Sequence, residues 1–310
     1  MRNCPLVVLA LLVPAAVAAQ SGRQARPPII DMHMHAFRAI RGPDGAPLPV
    51  PCAPTPCETS PALATSDDSI LRLTLEAMDR YNIVKGFLSS DNLPDLYRWV
   101  EAGAGRFLPS PFIWRPGQPS VEELRRGYAT GRLEGMGEIG TQYSGLSPDD
   151  PTLEPYFALA ESLDVPVHIH TLGFGAPLPG FRSAMGHPLL LEPVLVRHPR
   201  LRLFVEDAGY PFLDEMISMM YQYPQLHADL ATISWIIPRE AFHDYLRALI
   251  HAGLGSRLMF GSDQMQWPET IARAIDGIES ATFLTAAQKR DIFYNNAARF
   301  LRLAPATSPR

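Results

Sequence analysis

The chain has 310 residues, 46% of them hydrophobic, with three cysteines and a formal net charge of -5. That is apolar material for one large core, and a single α/β barrel of about 250 residues suits it better than two small domains. The mild acidity, with no basic stripe, excludes a general nucleic-acid binder.

The first residues read as a secretory signal: Arg2 gives the positive end, Leu6 to Ala16 the apolar stretch, and Ala16-Val17-Ala18 a small-residue cleavage site. The stretch is shorter than the roughly 20 apolar residues that span a bilayer. Residues 1–19 are therefore expected to be removed, leaving 20–310 as one barrel domain, periplasmic or secreted, with no stable membrane insertion. Cys4 leaves with the signal. In an oxidising compartment, Cys52 and Cys57 are expected to form a local disulfide pinning the proline-rich loop between Pro43 and Pro61.

Ile29 to His35 is an apolar run ending in His33-Met34-His35. Side chains alternate along a strand, so the two histidines project to one side, close enough to share a divalent cation through neutral imidazole nitrogens. Such pairs also occur as hydrogen-bonded strand residues, and the spacing alone leaves both readings open.

Seven further strand-like runs follow: Ile83 to Ser89, Phe107 to Ile113, Leu133 to Ile139, Val165 to Thr171, Leu201 to Asp207, Leu226 to Leu230, and Arg257 to Ser262. Helical signals lie between them. Ile70, Leu73, Ala77 and Tyr81 recur at helical spacing, Ser120 with Glu123 and Thr285 with Gln288 make capping boxes, and Pro188 opens a helix over Leu189 to Arg197. Eight short apolar strands alternating with helices predict a single-domain (β/α)8 TIM barrel. Its two long connections, Ala36 to Thr65 and Leu172 to Gly186, both follow strands and so belong at the C-terminal face, where such barrels build their sites.

The strand ends line up on that face. The first carries His33 and His35, the fourth Glu138, the fifth His170, the sixth Glu206 and Asp207, and the eighth Asp263. Barrel closure would bring them to one rim. By parity Glu206 is expected to face the helix layer, and His168, one layer below His170, to be a packed and hydrogen-bonded core residue. There is no G-x-S-x-G elbow and no glycine-rich phosphate loop, so serine-based and nucleotide chemistry have no support.

With D-M-H-M-H, G-E-I-G, P-V-H-I-H-T, D-A-G-Y-P-F-L-D-E, F-G-S-D and Y-N-N-A-A-R-F-L in place, the chain resembles the amidohydrolase superfamily. The likeness is to its amidohydrolase-2-like branch of metal-dependent hydrolases and decarboxylases acting on small carbonyl compounds, and it covers nearly all of the mature sequence. It implies that His33, His35 and His170 bind the metal and that Asp263 is the catalytic carboxylate. The family commonly has histidine where this chain has Asp207, which is then an oxygen ligand, a group orienting a bound water, or a mark of lost chemistry. Glu138 resembles the glutamate that serves a second metal in binuclear branches; the other reading is a carboxylate hydrogen-bonded to a ligand histidine. The implied cofactor is a divalent metal, zinc first and manganese as the alternative, in one or two ions.

Trp114, Arg115, Phe174, Arg182, Tyr210, Trp235 and Trp267 all follow strands on the predicted active face. Aromatic walls with one or two guanidinium groups would suit a small aromatic or lactone substrate bearing a carboxylate; otherwise these residues pack the loops onto the barrel. The expected activity is metal-assisted hydrolysis of a C–O or C–N bond in a lactone, ester or amide. The alternatives are a metal-dependent decarboxylase of a small carboxylic acid, or a vestigial or binding protein with an altered metal site. The expected partner is a small molecule, with no nucleic acid. Exposed apolar loop residues are compatible with a homo-oligomer, although the sequence shows no specific interface.

Overall fold

Strands that are apolar on both faces need cover on both, and the helices between them provide the outer layer. The structure, a computed structural model, describes residues 26–46, 62–176 and 178–303. The signal-like segment, Cys52 and Cys57 lie outside the described residues. The strands are β1 (Ile29–His35), β2 (Ile83–Ser90), β3 (Phe107–Pro111), β4 (Met136–Ile139), β5 (Val167–Ile169), β6 (Leu203–Val205), β7 (Leu226–Asp229) and β8 (Leu258–Met259). All pair in parallel and in chain order, β1 to β3 in one arc and β4 to β8 in another.

Backbone hydrogen bonds join the arcs at both ends. Just past β3, Ile113 donates its N–H to the Glu138 carbonyl at 2.7 Å and accepts from Gly140 at 3.0 Å. Past β8, the Phe260 carbonyl accepts from Met32 at 2.8 Å and the His33 carbonyl from Asp263 at 2.8 Å. The eight strands therefore run round a ring, which is the (β/α)8 barrel expected. Several strands are shorter than their apolar runs. β6 stops at Val205 because Asp207 and Ala208 take left-handed conformations, with φ of 57° and 48°.

Helix α1 (Asp67–Tyr81) buries Ile70, Thr74 and Met78, while Leu73, Ala77 and Tyr81 are only partly covered. The contact stripe is thus rotated by one residue from the expected one, and a buried threonine takes a place that an apolar count passes over. Both expected capping boxes form, at α3 (Val121–Ala129; α2 is Leu93–Ala102) and at the later helix Ala286–Arg290. Pro188 opens a tight 3-10 turn, Pro188–Leu191, and the α-helix proper is α5 (Glu192–Arg197). No helix among the described residues is long and apolar enough to cross a membrane.

His227 on β7 packs 4.8 Å from the Phe300 ring and donates from Nδ1 to the Gln225 carbonyl at 3.2 Å. Burial, reinforced by Arg257 and Arg299, pushes its imidazole down to about 4 although that carbonyl pulls it up. The unfolded chain takes up a proton near pH 6.5 that the folded chain refuses until about pH 4, so stability falls as pH drops through this window. His227→Gln should flatten that slope by up to about 1.4 kcal/mol per pH unit. Urea midpoints at pH 6.5 and 4.5 measure it, and an unchanged difference between them in the variant would contradict the account.

Candidate metal centre

β1 carries Asp31, His33 and His35, all buried. The main chain holds the last two in place. Asp31 accepts from the His33 N–H at 3.1 Å and from the Ser262 N–H at 2.9 Å, and Gln264 clasps the His35 backbone with bonds of 3.0 and 2.6 Å. The two imidazoles meet with Nε2 atoms 3.1 Å apart. Behind them, His35 Nδ1 lies 2.7 Å from the Ser89 hydroxyl and His33 Nδ1 lies 3.2 Å from Asp229 Oδ2. Partners at both Nδ1 positions leave the Nε2 atoms to face the interior.

Three carboxylates close on this pair. Asp263 Oδ1 is 3.0 Å from His35 Nε2 and 3.7 Å from His33 Nε2, and Glu138 Oε2 is 3.4 and 3.6 Å from the same atoms. Glu206 Oε1 is 3.6 Å from His33 Nε2. Burial alone would push the His33 imidazole down, but Glu206, Asp263 and Asp229 together hold it well above its usual range. Burial would likewise lift Asp263, yet His33, His35 and the Thr232 hydroxyl hold its carboxyl well below the usual carboxylate range. What this cluster stabilises is positive charge between the two rings.

His170 stands at the end of β5 with its tautomer set by Gln142. The Gln142 amide nitrogen donates to the carbonyls of Leu172 (2.8 Å) and Arg182 (3.1 Å), so its oxygen must be the acceptor 2.6 Å from His170 Nδ1. That leaves His170 Nε2 with a lone pair, which accepts from the Tyr143 hydroxyl at 3.1 Å. Burial, with His33 and His35 adding to it, holds His170 below its usual range although Glu138 and Asp263 pull the other way. Burial together with the surrounding carboxylates, Glu138 first, raises the Tyr143 phenol well above its usual range, so it remains a neutral donor.

Two donor groups have atoms within 4.8 Å of one another: His33, His35 and Asp263, and His33, Glu206 and Asp229. Asp263 Oδ1 is buried without a hydrogen-bond partner, as is Glu206 Oε2. Donors each about 2.0–2.2 Å from one cation sit roughly 3–3.5 Å apart. The separations of 3.1 Å (His33 to His35), 3.0 Å (His35 to Asp263) and 3.4 Å (His35 to Glu138) suit such an ion.

Asp207 lies outside both groups. Its backbone N–H donates to Asp229 Oδ1 at 2.9 Å, and its Oδ1 accepts from the Thr232 N–H at 2.8 Å. Burial lifts its carboxyl to about 8 despite nearby His33, with Asp229 and Asp263 adding to the rise. Thr232 in turn donates to Asp263 Oδ2 at 2.5 Å, so Asp207 braces the loop that holds Asp263. Glu206 contradicts the parity expectation. It is fully buried, touches His168 Nδ1 and approaches His33, on the same side as Phe204 two residues before it, which also stacks on His168; the residue out of the alternation is Asp207, in the left-handed conformation. His168 is the packed core histidine expected, stacked on Phe204 at 5.3 Å and edge-on to Phe87 at 4.8 Å.

Glu138 owes its place to Gly137, whose φ is +115°. A Cβ there would lie 2.2 Å from the His168 carbonyl oxygen, so only glycine lets β4 approach β5 this closely. Gly137→Ala should cost about 3 kcal/mol, read as a lowered urea midpoint. A wild-type midpoint would show that the strands can part without penalty.

The donors open into a cavity of about 600 Å³. Of the residues expected to line it, Trp114, Phe174, Trp235 and Trp267 do so. Arg115, Arg182 and Tyr210 do not. Arg115 and Arg182 are exposed, and the Arg182 guanidinium bonds to the carbonyls of Pro179 and Phe181 in its own loop. Tyr210 stands behind Phe174, 6.2 Å ring to ring. Position just after a strand fixes which face a residue is on, but not which way it points. Phe37, Arg38, Phe112 and Tyr143 line the cavity and were not anticipated, and neither was Asp229 behind His33. Asp229 ends a strand, so the strand-end rule that found Glu138 also covers it. Nothing in the loop sequence marks Gln142 or Tyr143.

The family profile described as Amidohydrolase matches residues 30–303. No curated protein is similar enough in sequence to match. Among solved structures, a TIM-barrel protein of Bordetella bronchiseptica superposes with a TM-score of 0.66 at 17% identity, covering 89% of this chain and 99% of its own. A probable 2-pyrone-4,6-dicarboxylic acid hydrolase of Acinetobacter baumannii, with citric acid bound, gives 0.62 at 14% identity, covering 89% and 100%. A 5-carboxyvanillate decarboxylase of Novosphingobium aromaticivorans, complexed with manganese and a nitrobenzoic acid, gives 0.57 at 16% identity, covering 91% and 97%. At these identities the superpositions speak for the barrel alone.

Proposed function

Since the chain belongs to the amidohydrolase family, we propose that it is a metal-dependent hydrolase, cleaving a C–O or C–N bond of a small lactone, ester or amide. The observation that carries this reading is the buried, unpartnered Asp263 Oδ1 beside two imidazole Nε2 atoms that face each other. His33, His35 and His170 would hold the ion with Glu138 and Asp263 at its edge, while Asp207 acts as a brace. A divalent cation held there, zinc by preference and manganese as the alternative, would lower the pKa of a water towards neutrality and polarise a carbonyl oxygen.

The chain's own groups divide the remaining work. Asp263 Oδ2 is tied to Thr232, so Oδ1 is the atom that accepts the proton of the attacking water and returns it to the leaving oxygen or nitrogen. Trp114, Trp235 and Trp267 exclude water from the reacting carbonyl. Residues 1–19, read as a secretory signal, would send the enzyme to the periplasm or beyond, where Cys52 and Cys57 would pair.

The purified full-length expression product should carry near-stoichiometric divalent metal by elemental analysis. It should convert neutral aryl esters or lactones to acid and alcohol without releasing carbon dioxide. Carbon dioxide from carboxylic acid substrates would instead make it a decarboxylase, and absence of both metal and turnover would leave a binding protein.

A further inference from the structure

A substrate pocket that receives a carboxylate ordinarily offers it a guanidinium or ammonium partner, because an unpaired buried charge is costly. This cavity does not. Arg115 and Arg182 stand outside it, and among the described residues the one guanidinium or ammonium group on its lining, that of Arg38, is 59% exposed with Nε bonded to Asp95 at 2.5 Å. The carboxylates on the lining are Glu138 and Asp263 at the floor, beside the imidazoles, and Asp91.

The surface between floor and mouth is aromatic and continuous. Phe37 stacks on His35 at 4.3 Å and Phe112 on Trp114 at 4.3 Å, and Tyr143 links Trp114 (5.2 Å) to His170 (4.8 Å). The polar atoms nearby are uncharged or already committed. Trp235 Nε1 donates to the Ser262 carbonyl at 2.9 Å, and the Thr232 hydroxyl is held by Asp263. Trp267 lines the cavity, and its Nε1 is buried away from the open space.

From this lining we infer that the enzyme selects an uncharged substrate with a flat aromatic or fused-ring body, whose only polar groups are the reacting carbonyl and neutral oxygens. The inference rests on the hydrolase reading for the reaction at the floor, but concerns what the walls accept. A body carrying a distal anion would meet Asp91, and the guanidinium within reach, that of Arg38, is already paired with Asp95.

The test is a binding measurement that needs no turnover. Tryptophan fluorescence of the purified, metal-loaded protein is titrated with naphthalene-2-carboxamide and with its 6-sulfonate, which adds one weakly coordinating distal anion to the same ring. The neutral amide should bind at least about tenfold more tightly, a difference of about 1.4 kcal/mol. Trp114→Ala should weaken it severalfold, and Arg38→Gln should leave the preference unchanged. Equal or tighter binding of the sulfonate, lost in Arg38→Gln, would overturn the inference by showing that Arg38 leaves Asp95 to hold an anion. Neutral-probe binding untouched by both Trp114→Ala and Trp267→Ala would overturn it too. A preference for the neutral probe in a protein that hydrolyses nothing would sink the proposed reaction and leave this inference standing.

Discussion

A His35→Ala chain should purify folded, with little bound metal and at least about a thousandfold less hydrolytic activity. His35 Nε2 is the hub of the site: it lies 3.1 Å from His33, 3.0 Å from Asp263 and 3.4 Å from Glu138. Removing the ring takes one donor from the ion and leaves the Ser89 hydroxyl and Asp263 Oδ1 facing a void. Loss of the ion forfeits several kcal/mol of transition-state charge stabilisation, which is the source of the thousandfold figure. The barrel should survive, because the backbone of residue 35 keeps its bonds to Gln264 whatever its side chain. Circular dichroism would confirm folding, elemental analysis the metal, and an ester assay the activity. Full metal content with full activity would remove the ion from this position.

Asp263→Asn should separate holding the ion from moving a proton. The amide keeps an oxygen for the site and can still pair with the Thr232 hydroxyl, so metal content should fall only modestly. It cannot take up a proton, and kcat should drop by about 10²–10⁴. If the metal disappears together with the activity, Asp263 is chiefly a ligand. If kcat is unchanged, another group handles the proton, with Glu206, buried beside His33, the next to test.

What could be read from the sequence followed from parity and local chemistry. The histidines of D-M-H-M-H share a face because a strand has period two, and the capping boxes at Ser120 and Thr285 form because each needs only four consecutive residues. The eight apolar runs gave the barrel for the same reason. Parity counted from Asp207 misplaces Glu206, because the left-handed backbone takes Asp207 out of the alternation; counted from Phe204, which also meets His168, Glu206 faces inward. Gln142 escaped notice because its importance comes from two carbonyls 30 and 40 residues away, which meet its amide only once the loops are folded. Arg38 shows the converse. It sits three residues past His35, inside a long connection whose course no local signal specifies.

The joint between β1 and β8 has a consequence for biosynthesis. His33 and Asp263, 230 positions apart, belong to the same donor group and are stitched by the bond from the Asp263 N–H to the His33 carbonyl, with Ser262 and Gln264 adding theirs to Asp31 and His35. A nascent polypeptide that has not yet emerged past Gln264 would therefore lack Asp263 and the bonds that fix the Asp31 side chain and the backbone of His33 and His35. An ion held there as proposed would be captured in full only once that segment has joined β1, and a chain cut short before it would lack the joint.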